Sequence, residues 1–85
     1  MATSERILYF CDKKRHLVCY PYSIENLHIM ANKLGIKNCW FHYGKHPHYD
    51  IPKRRILEIT EKCIVVDSQL IVNITKNRFF RIEQK

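Results

Sequence analysis

The chain is poor in the residues that loosen or break a fold. Two glycines and three prolines in 85 residues leave no material for a long linker or a low-complexity tract. It carries no phosphate-binding glycine loop, no dinucleotide fingerprint and no G-x-S-x-G elbow, so the common nucleotide-cradling and serine-nucleophile signatures are missing. No apolar run approaches the roughly 20 residues that cross a bilayer, and no internal repeat is visible. The opening MATSERILYF lacks the basic start, long apolar stretch and small-residue cleavage site of a secretory signal. A cytoplasmic protein with no membrane partner is therefore expected. Paired cysteines are missing too. Cys11, Cys19, Cys39 and Cys63 form no C-x-x-C, the spacing that structural zinc sites usually draw on, and are expected to be buried, reduced thiols.

What is present is charge of one sign. The formal net charge is +7, clustered in Lys13-Lys14-Arg15, in Lys53-Arg54-Arg55, and in Lys76, Arg78, Arg81 and Lys85. Such a surface favours polyanions: nucleic acid, nucleotides or an acidic protein. A composition that is 46% hydrophobic and 27% charged is that of a globular chain, and its length fits one small domain over residues 1–85.

Element signals follow one another along the chain. RILYFC, residues 6–11, is a short apolar run that reads as a strand covered on both faces. HLVCY, residues 16–20, fits a strand or an extended lead-in. Ser23 is placed to cap a helix over 23–34, with Glu25 in its first turn and Gly35 as its left-handed stop. CWFHY, residues 39–43, reads as a strand ended by Gly44. Asp50 is placed to cap a second helix with Pro52 in its first turn. CIVV, residues 63–66, reads as a third strand, followed by Asp67 or Ser68 as a cap. RFFRIE near the end fits an edge strand. Strands alternating with helices predict a small Rossmann-like βαβαβ domain with a mainly parallel sheet and an extra edge strand at the C-terminus.

In such a sheet ligands bind beyond the carboxyl ends of the strands. That rule gathers Asp12, His46, His48, Asp50 and Asp67 at one edge, with His16 close by. Carboxylates grouped with imidazoles can hold a divalent metal ion that polarises a phosphoryl oxygen or activates water. The candidate metal ligands are Asp12, His46, His48 and Asp50, and the candidate catalytic groups are Asp12, His16, His48 and Asp50. Lys13, Arg15, Lys53, Arg54 and Arg55 would hold the anion, with Tyr49 as the stacking aromatic. The competing account is structural: Asp50 and Asp67 serve as caps, and His28 as a satisfied core histidine.

These residues also carry a resemblance. Asp12 after a strand, His16-Leu17, Leu27-His28, Leu34-Gly35 and the triplet His48-Tyr49-Asp50 resemble a family of short bacterial and phage proteins known only as a domain of unknown function. The likeness runs over roughly residues 7–66 and implies a bacterial or bacteriophage source, but no activity. The expectation is a basic domain that binds a phosphate-containing ligand, with metal-assisted phosphoester hydrolysis as the reaction its polar centre would support. The alternative is a non-enzymatic module that docks on a host protein or nucleic acid, and a homodimer through the C-terminal edge strand is a third arrangement.

Overall fold

The computed structural model describes residues 7–76. Arg78, Arg81, Lys85 and the expected RFFRIE edge strand lie outside the described residues, as do Phe79 and Phe80. Five strands form one sheet in the order β3-β4-β2-β1-β5. β1 (Leu8–Cys11), β2 (His16–Tyr20), β3 (Phe41–His42), β4 (His48–Asp50) and β5 (Ile64–Val65) are joined by α1 (Ile24–Leu34), α2 (Ile56–Thr60) and α3 (Ser68–Thr75).

The expected mainly parallel Rossmann-like sheet is wrong. β1 and β2, β2 and β4, and β3 and β4 all pair antiparallel, and only β1 and β5 run parallel. For β1 and β2 the reason lies in loop length, since a parallel neighbour needs a crossover of a dozen residues or more. Asp12 to Arg15 is only a tight turn. Asp12 Oδ1 accepts the amides of Lys14 (2.9 Å) and His16 (3.0 Å), and the Asp12 amide donates to the His16 carbonyl at 3.2 Å. Arg15 takes the left-handed conformation, φ 72°, that glycine usually fills in such a hairpin. The conformation costs a side chain about 1 kcal/mol. Two contacts of Arg15 help offset it: its carbonyl accepts the Ile51 amide at 2.9 Å, and its guanidinium donates to the Ile51 carbonyl at 3.1 Å. A turn with no glycine hid the hairpin, and HLVCY is in fact the middle strand of the sheet.

α1 forms where the sequence places it. Ser23 accepts the Asn26 amide at 3.0 Å, and Gly35 closes the helix at φ 73°. It buries Leu27, Met30, Ala31 and Leu34, each large side chain contributing about 1.5–3 kcal/mol. The second helix starts later than expected. Asp50 does not cap it; Asp50 lies in β4, and a 3₁₀ turn over Lys53–Arg55 leads into α2. Asp67 does cap α3, accepting the Leu70 amide at 2.9 Å. CWFHY is split: Cys39 and Trp40 belong to a 3₁₀ turn over Asn38–Trp40, and Phe41 and His42 form β3.

Pairing divides the side chains between two faces. Leu17 opposes Cys11 and Tyr49, and Tyr49 opposes Phe41, so these point to the face covered by α1, where His28 meets the Tyr49 hydroxyl. His16 opposes Asp50, and His42 opposes His48, so these point to the other face, where α3 packs against β1 and β2. Cys11 and Cys19 are buried as expected, but Cys39 is exposed, on the 3₁₀ turn. None of the described helices is long and apolar enough to cross a membrane.

Candidate metal centre

Three strands place the site. Asp12 leaves β1, His16 opens β2, and β4 contributes His48 and Asp50 on one side because alternate residues of a strand share a face. Ligand atoms of His16, His48 and Asp50 all lie within 4.8 Å of one another. Two imidazoles and a carboxylate at that spacing need only modest side-chain rotation to meet one ion at ~2.0–2.2 Å.

The ring nitrogens are already sorted. His48 Nδ1 lies 2.7 Å from the His46 carbonyl; a carbonyl only accepts, so Nδ1 carries the proton. His16 Nδ1 lies 2.9 Å from Asp12 Oδ2. That same oxygen accepts the Ser68 hydroxyl at 2.7 Å. Burial by itself would push the Asp12 carboxyl up, but the Ser68 hydroxyl and the His16 ring and amide together hold it below its ordinary value of 3.8. An ionised Asp12 accepts from His16 Nδ1, which leaves Nε2 with its lone pair. Both imidazoles therefore present Nε2 as a ligand, each oriented by an acceptor behind it, the arrangement metal-binding histidines generally use.

One contact is unsatisfied in the neutral state. His48 Nε2 faces Asp50 Oδ1 at 3.3 Å. With the proton on Nδ1, a neutral ring sets a lone pair against a carboxylate oxygen. A second proton on the ring, a proton on the carboxyl, or a cation bound by both atoms would each relieve this. Asp50 Oδ2 is held separately by His42 Nε2 at 2.9 Å, and the His42 ring stacks on His48 at 5.1 Å. His16 meets His48 edge-on, also at 5.1 Å.

The sequence-predicted residues divide as follows. Asp12 stands behind the cluster and orients His16. His46 turns its ring to Thr75 Oγ1 at 3.0 Å, outside the three-ligand group, and supplies its carbonyl to His48. Asp67 is spent as a cap. Tyr49 is fully buried, its hydroxyl between His28 Nδ1 at 2.7 Å and Asn38 at 3.1 Å, so it is out of reach of a base. Arg55 is committed to the carbonyls of Leu34 and Gly35 and to Glu58. Lys13, Lys53 and Arg54 are exposed. His42 and Ser68 belong to the site although the sequence did not single them out as ligand-side groups. The register of β3 against β4 would have found His42, because it places that residue opposite His48.

Beside the cluster lies a niche of about 160 Å³ lined by His16, His46, His48 and Ser68 and walled by Ile71 and Val72 of α3. Burial pushes the buried Cys19 thiol up to about 11 and the half-buried Cys63 thiol up to about 12.

A family of proteins of unknown function, DUF4031, has a sequence model that matches residues 10–78. The chain belongs to the DUF4031 family. That match takes in the turn at Asp12, both cluster-bearing strands and α3, so the whole candidate centre of this DUF4031 protein lies inside the family domain. No curated protein and no solved structure matches the chain.

Proposed function

We propose that this DUF4031 protein binds a divalent transition metal through His16, His48 and Asp50, and uses it on a phosphate ester. The observation that carries the metal is the clustering of His16, His48 and Asp50, whose ligand atoms all lie within 4.8 Å of one another, together with two imidazoles whose Nδ1 atoms are both engaged. A set of two nitrogens and one oxygen suits zinc, manganese or ferrous iron better than calcium or magnesium. Three protein ligands leave positions for water and for a phosphoryl oxygen, and the adjoining niche has room for such a group.

The choice of phosphate rests on charge. The net +7 includes Lys13 and Lys14 in the turn beside Asp12, and Lys53 just beyond Asp50, all exposed. A metal held by His16, His48 and Asp50 would supply a polarised water for attack at phosphorus; the bond to the leaving oxygen would break as that oxygen took the proton the water gives up. Asp12 stays ionised and keeps His16 in the ligating tautomer.

The test is thermal unfolding with zinc, manganese or ferrous iron added, for the wild type and for His48→Ala and Asp50→Asn. Metal at 100 times its dissociation constant should stabilise the wild type by about 2.7 kcal/mol and neither variant. Hydrolysis of bis-p-nitrophenyl phosphate should require the same metal and vanish in both variants. Indifference of the wild type to all three metals would remove the metal reading, and retention of nucleic acid under those conditions would support a non-enzymatic binding module.

A further inference from the structure

A further cleft, of about 510 Å³, is separate from the histidine niche. It lies between the end of α1 and the 3₁₀ turn before α2, lined by Gly35, Ile36, Lys37, Cys39, Trp40, Pro52 and the run Lys53-Arg54-Arg55. No carboxylate lines it. Arg55 braces its floor, donating to the Leu34 and Gly35 carbonyls at 2.7 Å each and pairing with Glu58 at 2.7 Å. That leaves the positive charge of Lys37, Lys53 and Arg54 facing solvent, and among the described residues no salt bridge involves them.

Trp40 makes the cleft more than a cationic patch. It is the single tryptophan of the chain, partly buried, packed against the core and also lining the cleft. An indole held in place by the core and bordered by unpaired cations provides both contacts a nucleotide needs: a face for the base and charge for the phosphate. Bases inside a duplex are not free to stack on a side chain, whereas unpaired bases are.

We infer that the Trp40 cleft is a binding site for single-stranded nucleic acid, with a base stacked on Trp40 and the backbone held by Lys37, Lys53 and Arg54. This rests on the phosphoester reading of the histidine centre only for its direction. Lys53 follows Asp50 by three residues, so at full extension the chain separates them by no more than about 11 Å. A strand seated in the cleft at the end of α1 would reach His16, His48 and Asp50, which face away from α1, only by passing from one face of the sheet to the other. The cleft would supply affinity and the histidine centre the chemistry.

Trp40 is also the reporter. Intrinsic fluorescence is followed while an oligothymidylate of ten nucleotides is titrated into the full chain in EDTA, so that binding is read without metal. Saturable quenching is expected. Binding should weaken with salt at about −0.7 in log–log slope per phosphate contacted, or roughly −2 for three. Lys37→Glu/Arg54→Glu should lose at least tenfold in affinity, and Trp40→Leu, followed by fluorescence anisotropy of a labelled oligonucleotide, should lose a comparable factor. Circular dichroism on both variants confirms that they fold. Because the titration is made in EDTA, it separates failure of the cleft from failure of the metal centre. Absence of quenching, equal binding by the charge-reversed protein, or equal affinity for thymidine monophosphate and the oligonucleotide would each overturn the assignment. So would tighter binding of the duplex form of the same length.

Discussion

The two faces of the sheet use histidine in opposite ways. On the α1 face, His28 sits against Phe41 and Tyr49 with ring centroids 4.8 and 5.8 Å away, and hydrogen-bonds to the Tyr49 hydroxyl, which continues to Asn38. Every partner there is neutral. On the α3 face, His16, His42 and His48 surround Asp50, with Asp12 behind His16. Here the partners are carboxylates and the rings are partly open. The same side chain fastens a core on one side and, in the proposed reading, holds a cation on the other. Partner charge makes the difference, more than burial: His28, His16 and His48 are all intermediate in exposure.

Substitutions can break that contrast. The largest effect belongs to the α1 face. Tyr49 is the largest fully buried side chain, and Tyr49→Ala should cost about 3–5 kcal/mol in urea unfolding, as for other buried aromatics. If it costs under ~1 kcal/mol, Tyr49 is not a core anchor and the two faces are not distinct.

Asp12→Asn probes the other face without removing a ligand. A carboxamide nitrogen at the position of Oδ2 would donate toward His16 Nδ1 and move the ring proton to Nε2, the nitrogen needed for metal. Metal affinity by calorimetry should fall about 10–100-fold, the usual cost of losing an orienting partner. An unchanged affinity would mean that His16 is not a ligand or that Asp12 does not orient it.

The smallest effect is the most specific. Asp12 has its carboxyl held low in the folded state, so its contribution to stability is present above its ordinary value of 3.8 and is lost as pH falls through the depressed folded value. Ser68→Ala removes one of the donors responsible, at a cost of about 1 kcal/mol at neutral pH. The acid unfolding transition should then begin at higher pH than in the wild type. Tyr49→Phe, a comparable loss of one hydroxyl on the α1 face, should leave the acid transition in place. Equal acid shifts in both variants would erase the distinction.

Much of the local structure could be read without coordinates. Ser23 and Gly35 mark the ends of α1 because a hydroxyl acceptor and a left-handed residue each solve a local problem of unpaired backbone groups. Asp67 does the same for α3. The meeting of Asp12 with His48's neighbourhood was also legible, though for a partly mistaken reason. β1 and β5 are parallel, and their carboxyl ends do bring Asp12 and Ser68 within 2.7 Å of each other. His16, His48 and Asp50 arrive instead through antiparallel pairing, which no local signal announced. Arg15 stands where a hairpin would usually show glycine, and so the turn looked like the exit of a parallel strand.

By itself, then, the order of residues determined what is short-range: caps, the helix stop, the alternation that keeps His48 and Asp50 on one side of a strand, and the basic surplus. Tertiary structure alone decided strand direction and register, because those depend on which distant backbone satisfies which, and a shift of one residue would send His48 to the opposite face. Register is what turned His42 from a residue of an apolar run into a partner of Asp50, and Tyr49 from a candidate for stacking into the centre of the core.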